Sequence, residues 1–417
     1  MHEKALIPNL FRTEYRKIVS VLCSTFGFDH IETAEDIVSD TFLTATESWS
    51  INGIPENPTA WLYTVAKNKT KNYLKRDNLF QQKISTEIKY TSSNTEEFEI
   101  DLSQKNIIDS QLAMMFTICN PSISKESQIS LALNLLCGFG IQEIADAFLV
   151  NKEVIYKRLQ RAKEKLKSED IKIEHPSVCQ INSNLETVLM TLYLLFSEGY
   201  YSTSQNTILR KDLCEEAIRL TLLLLENPMT STPSTNALLS LMYFHSSRFN
   251  ARINKEGENI IYEEQDDALW DYPLIEKGIE FLNQSASGNS LTKFHLEAAI
   301  AFWHTKKKDS DEKWENILQL YNQLLQIEYA PIAALNRTFA FAKVRGKSAA
   351  IIEAEKLQLT DNPFYYSLLG YLYTDIDNAK AKEQYEKSLE FSNSNADTKT
   401  IRKYIEELTE KIEKEKY

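Results

Sequence analysis

The stretch from Ile141 to Lys167 (IQEIADAFLVNKEVIYKRLQRAKEKLK) has the periodicity of two amphipathic helices joined by a tight corner. Asn151 is suited to the N-cap of the second helix, because its side-chain oxygen can accept a hydrogen bond from the opening turn. Four apolar residues then recur at helical spacing and predict a buried stripe: Ile155, Leu159, Ala162 and Leu166. Helical periodicity continues along most of the chain, which predicts an all-α fold.

The other side of this second predicted helix is strongly basic. A short helix, a turn and a basic helix form the helix-turn-helix pattern, whose second helix enters the major groove of DNA. Lys and Arg neutralise phosphates there, and residues of the leading half reach base edges. We therefore predict eight DNA-binding residues: Lys152, Glu153, Tyr156, Lys157, Arg158, Gln160, Arg161 and Lys163. A solvated amphipathic helix with a cationic face is the alternative that this pattern leaves open.

A second basic helix is predicted over Pro58–Arg76. Asn57 is expected to cap it, because Asn at the N-cap followed by Pro at the first helical position favours a helix start. The segment interleaves aromatic residues with Lys and Arg and contains no acidic residue. This composition suits single-stranded nucleic acid, whose bases stack on rings while its phosphates pair with cations. Trp61 is the ambiguous residue here, since a tryptophan in such a pattern is more often part of the core.

An acidic helix is predicted before it, over Ala34–Trp49. It is expected to bury four residues: Val38, Phe42, Ala45 and Trp49. Its opposite side is acidic with one exposed apolar residue, and carries Glu35, Asp36, Ser39, Asp40, Leu43 and Glu47. Such a side is either an ordinary charged surface or a docking face for a basic partner.

The net charge of −12 is unevenly distributed. Up to Ser168 the chain has 20 Lys+Arg and 21 Asp+Glu, whereas the remainder has 27 and 38. The basic patches therefore lie in a nearly neutral N-terminal part, and the acidity lies in the C-terminal part. Net charge describes the average field, but a phosphate meets the local patches. One hypothesis is that the acidic part covers a DNA-binding face and restrains it.

Composition predicts a cytoplasmic location and no membrane contact. No apolar run is long enough to span a bilayer, and five widely spaced cysteines without a CxxC pair favour a reducing compartment over disulfides or a zinc site. We also predict no enzyme, no cofactor and no metal site. The acidic cluster and the histidines near Glu297 lack the spacing of metal ligands or of a catalytic base: Glu263, Glu264, Asp266, Asp267, His295 and His304.

The chain is predicted to contain several helical domains. Two small helical modules, 1–77 and 110–168, are joined by a flexible linker over 78–109, which is rich in Ser, Thr and Glu. A helical domain of unknown role follows at 178–285, and helical repeats at 286–417. In the last clear repeat, Leu369, Gly370, Tyr373, Ala381 and Tyr385 have the small–large spacing that packs one helix of a repeat on the next.

Several motifs, in order, resemble those of bacterial extracytoplasmic-function (ECF) sigma factors. AEDIVSDTF and NPTAWLYTVAKNKTKNYLKR resemble their second conserved region, and QEIADAFLVNKEVIYKRLQRAKEKL resembles their fourth. Further motifs are similar to those of the subgroup with a C-terminal tetratricopeptide-like (TPR-like) extension: LYLLFSEGY, DLCEEAIRL, EEQDDALWD and ALNRTFA. The resemblance covers nearly the whole chain. It implies two sigma modules, the second a helix-turn-helix, followed by a TPR-like domain.

The resemblance also implies partners and contact residues. Core RNA polymerase (β′ clamp and β subunits) and promoter DNA would be the partners, and a protein or peptide would bind the repeats. The family's DxVxExF helix falls on Asp36, Val38, Asp40 and Phe42, and the implied polymerase contacts are Glu35, Asp36, Ser39, Asp40 and Leu43. The loop Ile51–Asn57 would hold a flipped base of the minus-ten element. The implied minus-ten contacts are Asn52, Asn57, Trp61, Asn68, Lys71, Lys75 and Arg76. The basic helix at Lys152–Arg161 would read the minus-thirty-five element.

Two other functional classes are left open by the residues. A stand-alone helix-turn-helix regulator could bind duplex DNA and sense a signal through its repeats, and a repeat scaffold could have lost DNA binding. A stand-alone regulator does not need the Ala34–Arg76 module. The Lys and Arg residues retained in both basic patches disfavour a scaffold that no longer binds DNA. A sigma factor that directs transcription initiation is therefore the favoured function.

Overall fold

The computed structural model describes residues 6–27, 30–84, 100–148, 150–169, 171–200, 210–252, 260, 262–288, 290–391 and 395–414. Helices make up about 80% of the chain, and the described residues contain no strand. The predicted all-α fold is confirmed. The chain divides into two compact units, Met1–Leu194 and Leu195–Tyr417.

In the first unit, the described residues form seven α-helices, a π-helical turn and the beginning of an eighth α-helix. They are α1 (Leu6–Phe26), α2 (Ile31–Asn52), α3 (Pro58–Ile84), α4 (Gln104–Ile118), α5 (Lys125–Leu131), the π turn (Ala132–Leu136), α6 (Ile141–Phe148), α7 (Lys152–Ser168) and α8 (Val178–Tyr200). α1 packs against α2 and also against α4 and the π turn. Ile18, Leu22 and Cys23 of α1 are wholly buried. The two predicted modules therefore share a core through α1, although the sequence predicts them as separate.

The end of α2 differs from the prediction, whereas the start of α3 agrees with it. α2 runs to Asn52, so the first two residues of the predicted loop at 51–57 are helical, and Gly53 leaves the helix at a φ of 80°. The predicted start of α3 is confirmed, because Asn57 Oδ1 accepts a hydrogen bond from the N–H of Ala60 at 3.0 Å.

The predicted linker at 78–109 is helical at both ends. α3 continues to Ile84, and α4 begins at Gln104, where the Ser103 side chain accepts a hydrogen bond from the N–H of Asn106. Helix capping by Ser103 is the local signal that the prediction missed. The flexibility predicted for the linker concerns 85–99, which lie outside the described residues.

In the second unit, the part of the chain that the structure describes forms the end of α8 and ten further α-helices. They are α9 (Lys211–Leu225), α10 (Pro233–Ser246), α11 (Tyr272–Ser285), α12 (Lys293–His304), α13 (Asp311–Ile327), α14 (Pro331–Arg345), α15 (Lys347–Leu357), α16 (Pro363–Tyr373), α17 (Asn378–Phe391) and α18 (Asn395–Lys414). Between α10 and α11, the described residues include three 3-10 turns, at Phe249–Ala251, Tyr262–Glu264 and Asp267–Leu269. From α9 to α18, each described helix packs on its neighbours in sequence, as stacked helix pairs do.

The small–large packing predicted for the last repeat is present between α16 and α17. A Cβ atom added at Gly370 would lie 2.8 Å from ring atoms of Tyr385, so only glycine admits this ring. Ala381, on the same helix as Tyr385, is wholly buried. The Gly370–Tyr385 contact therefore packs α17 against α16, as the spacing predicted.

Candidate nucleic-acid interface

The basic helix α7 is positioned by its apolar stripe. Ile155, Leu159, Ala162 and Leu166 are all buried, as predicted. Asn151 does occupy the N-cap, but its side chain makes no capping hydrogen bond, so this part of the prediction is wrong. The N–H of Val154 instead donates to the backbone oxygen of Asn151 at 2.9 Å. Six of the eight predicted DNA-binding residues are exposed: Lys152, Glu153, Tyr156, Lys157, Gln160 and Arg161.

The other two predicted residues of α7 make contacts within the protein. The guanidinium of Arg158 lies 5.6 Å from the centre of the Phe148 ring and donates to Ser130 Oγ at 3.4 Å. Lys163 forms an ion pair with Glu35 of α2 at 3.1 Å. Both side chains are partly buried, so they position α7 as well as adding positive charge.

A row of polar and cationic residues follows one face of α3. Asn68, Lys71 and Lys75 are spaced by three to four residues and are all exposed, and Arg76 beside them is exposed too. Trp61 is half-buried, with its ring 5.3 Å from that of Trp49 in an edge-to-face contact. Trp61 therefore packs partly against the core through Trp49 and is partly accessible to solvent.

The two predicted minus-ten residues near the α2–α3 connection have local structural roles. Asn52 lies in the last turn of α2, where its side chain donates to Ser48 Oγ at 3.4 Å. Asn57 uses its side-chain oxygen to cap α3. Both residues are exposed. The side-chain NH2 group of Asn57 takes no part in this cap and can donate a hydrogen bond elsewhere.

The acidic side of α2 carries Asp36 and Asp40 of the DxVxExF motif, and its Glu35 is half-buried. Asp36 and Asp40 are exposed, whereas Val38 and Phe42 are buried core residues at 0% and 4% exposure. The predicted burial of Val38 and Phe42 is therefore confirmed. Leu43 is 56% exposed and is the apolar residue on this side. Ser39 is also exposed.

Cations from both basic helices pair with carboxylates of α2. Lys69 of α3 is paired with Asp40. From α7, Lys163 is paired with Glu35 at 3.1 Å and Lys167 is paired with a neighbouring glutamate, Glu32, at 3.3 Å. The predicted polymerase-binding and DNA-binding surfaces therefore touch each other. The opposite charges of α2 and α7 are visible in the sequence, but nothing in their spacing showed that they meet.

Three of the groups considered for catalysis have structural explanations, and the side chain of Glu263 lies outside those described. The ring of His295 accepts a hydrogen bond from the N–H of Thr292 and completes a capping box at the start of α12. Asp266 caps the 3-10 turn at Asp267–Leu269, and Glu264 forms an ion pair with Lys403 at 3.7 Å. Within the described residues, no three His, Cys, Asp or Glu side chains are placed to hold a metal ion.

Residues 10–79, which include most of α1, all of α2 and most of α3, match the family Sigma-70 region 2. The chain therefore carries a sigma-70 region 2 domain. This domain supports a role in promoter recognition and transcription initiation, and it implies binding to core RNA polymerase and promoter DNA. Sigma-70 factors are non-catalytic, which agrees with the predicted absence of enzymatic activity.

The sigma domain is followed by a second matched region. Residues 184–286 match a family of unknown function (DUF6596), and this range overlaps the helical domain predicted at 178–285. The chain is also similar to an uncharacterized protein of Rhizobium meliloti (strain 1021), with 28% identity over 389 residues that cover 91% of each chain. No solved structure matches the chain. Among the described helices, none has the length and apolar character needed to cross a bilayer.

Proposed function

We propose that this chain is an ECF-type sigma factor that acts in the cytoplasm. The exposed acidic side of α2 binds the β′ clamp of core polymerase through Asp36, Asp40 and Leu43. The cationic face of α3 follows the non-template strand of the minus-ten element. The pair α6–α7 acts as a helix-turn-helix that reads the minus-thirty-five element and lies near the β subunit. Residues 286–417 form TPR-like repeats that regulate this activity.

The observation that carries the proposal is the exposed row of Asn68, Lys71 and Lys75 on a helix that belongs to a sigma-70 region 2 domain. A helix in the hydrophobic core or a helix with mixed charge would not track a phosphate backbone. Because every neutralised phosphate releases counterions, binding through this row is expected to weaken steeply as salt is raised.

The role of α7 rests on its exposed leading half. Tyr156, Lys157, Gln160 and Arg161 project from the side opposite the buried stripe, with Tyr156 at 57% exposure. The length of α7, Lys152–Ser168, is enough for its first two turns to enter a major groove while the later turns remain packed.

Run-off transcription with purified core polymerase tests the proposal. Reversing the charge of Lys157 and Arg161 together, as Lys157→Glu with Arg161→Glu, is expected to abolish promoter-specific initiation while binding to core polymerase is retained. Lys165→Glu is the matched control, because Lys165 lies on the same helix but pairs with Glu169 at its end. Initiation that continues undiminished in the double variant would refute the assignment of α7.

A second arm tests α3. The substitutions Lys71→Ala and Lys75→Ala are expected to lower binding to single-stranded minus-ten DNA and to reduce the slope of log affinity against log salt by roughly 1.4, about 0.7 for each lost phosphate contact. An unchanged slope would show that the row does not contact phosphates. The absence of any transcript with the unmodified chain, on any genomic promoter fragment, would favour the stand-alone regulator.

A further inference from the structure

The second unit contains a cavity of about 1010 Å³. Its wall runs from Tyr200 at the end of α8, past the 3-10 turns and α12–α17, to Lys411 on α18. Pockets that bind small molecules have volumes of roughly 300–1,000 Å³. The cavity is therefore large enough for a complete small-molecule ligand, and none of the residues assigned above to polymerase or DNA lines it.

An arginine is buried in the cavity wall. Arg248 is 8% exposed, and its Nε atom has no hydrogen-bond partner among the described residues. Its guanidinium lies 5.5 Å from the centre of the Tyr262 ring, within the range of a cation–π contact. A buried charged donor without an acceptor is costly, and an anionic ligand would supply the acceptor. Gln265 is 6% exposed, and its Oε1 atom also has no hydrogen-bond partner among the described residues. A hydroxyl or amide group on the ligand would donate a hydrogen bond to this oxygen.

The charges around the cavity favour an anion. Among the described residues that line it, five side chains are cationic and three are carboxylates: Arg248, Arg252, Lys343, Lys347 and Lys411, and Glu264, Asp375 and Glu407. Burial, together with the positive charges of Arg248 and Lys313, lowers the pKa of His304 in the wall to about 3. His304 is therefore neutral at physiological pH, and the electrostatic potential at its ring is positive.

Aromatic rings form a continuous row along the wall. The Trp314 ring lies 5.6 Å from that of Phe339, and the Phe339 ring lies 5.1 Å from that of Tyr371. Lys343 lies 5.3 Å from the Trp314 ring centre, and Lys347 lies 4.7 Å from that of Tyr371. Aromatic side chains of this kind provide apolar contact area for a ligand, and cations beside them attract its negative end.

We propose that this cavity binds a small organic anion, with its carboxylate, sulfonate or phosphate group at Arg248 and a flat apolar body along the Trp314–Phe339–Tyr371 row. A small molecule fits better than an extended peptide, because peptide N–H and C=O groups need hydrogen-bond partners that a row of ring faces does not supply. Binding there would give the second unit a ligand-sensing role that does not depend on the promoter function proposed above.

A pair of fluorescent dyes tests the proposal on the full chain. Anilinonaphthalene sulfonate combines a flat aromatic body with an anionic group, and phenylnaphthylamine is the same body without the charge. The sulfonate is expected to bind at one site per chain and at least about ten-fold more tightly than the neutral dye, as a hydrogen bond to a charged group provides.

Substitution of the buried arginine locates the anion site. Arg248→Met is expected to weaken the sulfonate by about ten-fold or more while the affinity for the neutral dye changes by less than about two-fold. Arg219→Met is the matched control, because Arg219 pairs with Glu216 on α9 and does not line the cavity. Near-UV circular dichroism establishes that each variant is folded. If the Arg248→Met variant is not folded, Lys343→Met is used in its place. The Lys343 side chain is 22% exposed, so its replacement leaves a smaller cavity in the protein.

Three results would overturn the proposal. The first is equal affinity for the two dyes. The second is a loss of sulfonate binding in the cavity variant no larger than that in Arg219→Met. The third comes from competition: a tetra-aspartate peptide that displaces the bound sulfonate dye at lower concentration than naphthalene sulfonate would indicate a peptide site. Displacement by naphthalene sulfonate at lower concentration than the peptide supports the small-molecule site.

Discussion

The ion pair between Lys163 of α7 and Glu35 of α2 leads to a prediction about polymerase binding. The two side chains are 13% and 22% exposed, so solvent screens them less than it screens a pair on an open surface. The second pair, Lys167–Glu32, is more exposed at 28% and 61%. We call the state in which both pairs are formed the closed arrangement. In this arrangement α7 occupies part of the side of α2 that we assign to polymerase.

The size of the effect follows from the burial of the first pair. Exposed ion pairs contribute roughly 0.2–1 kcal/mol, and a pair as covered as Lys163–Glu35 lies at the upper end, about 1 kcal/mol. Lys163→Glu removes this attraction and adds a repulsion of similar size, so the closed arrangement loses about 2 kcal/mol in all. Since about 1.4 kcal/mol is a factor of ten, the equilibrium shifts by about thirty-fold toward separation of α2 and α7.

Binding to core polymerase is the measurement. If the closed arrangement predominates in the free chain, the apparent affinity of Lys163→Glu for core polymerase is expected to rise by up to about thirty-fold, because less of the protein must open before it binds. A fluorophore on Cys179, the exposed cysteine of the described residues, reports binding by anisotropy, since the other four cysteines are buried. Spin labels on cysteines introduced at the exposed Ser50 and Ser168, with Cys179→Ser, report the separation directly.

Lys165→Glu is the matched control for this experiment as well. Its side chain is 51% exposed and its partner Glu169 lies at the end of the same helix, so the control changes charge equally without touching α2. The charge-swapped pair Lys163→Glu with Glu35→Lys is expected to restore the spin-label distance. The reasoning fails if Lys163→Glu and Lys165→Glu bind polymerase equally, or if the distance does not change in Lys163→Glu.

Three further predictions concern stability. Gly370→Ala is expected to destabilise the second unit by about 1–3 kcal/mol in urea unfolding, because its Cβ would overlap the Tyr385 ring; a neutral result would show that the helices can move apart at no cost. Asn57→Ala is expected to lose about 1 kcal/mol and Asn57→Asp to lose much less, since only alanine removes the cap of α3; equal losses would exclude capping. His304 has a folded-state pKa of about 3, against about 6.5 unfolded, because burial and Arg248 oppose its protonation. Its contribution to stability is therefore complete above about pH 6.5 and is lost as the pH falls toward 3, by up to about 1.4 kcal/mol per pH unit, and His304→Gln should flatten this dependence in urea unfolding followed against pH.

Local patterns predicted the features that depend on a single helix or a helix pair. The apolar stripe of α7, the Asn57–Pro58 start of α3 and the Gly370–Tyr385 contact follow from spacing and capping chemistry, which operate over a few residues. The exposed charges of α2, α3 and α7 also followed, because a buried stripe fixes the opposite face.

Features that depend on distant parts of the chain could not be predicted in this way. The packing of α1 on α4 joins segments that the sequence presents as separate modules. The Lys163–Glu35 pair joins residues 128 positions apart, and many other acidic partners were equally plausible from charge alone. The cavity around Arg248 is formed by helices whose individual patterns indicate only packing, so its cationic and aromatic character appears after they are assembled.

The use of α2 carboxylates as partners for Lys69 and Lys163 has a consequence for the response to ionic strength. Added salt shortens the Debye length, which is about 10 Å at 0.1 M, and weakens the contacts that keep α2 covered. The same salt also weakens the grip of α3 and α7 on phosphates. Weaker ion pairs on α2 favour binding to polymerase, whereas weaker phosphate contacts disfavour binding to the promoter. Transcription is therefore expected to be greatest at an intermediate salt concentration and to decline on either side of it.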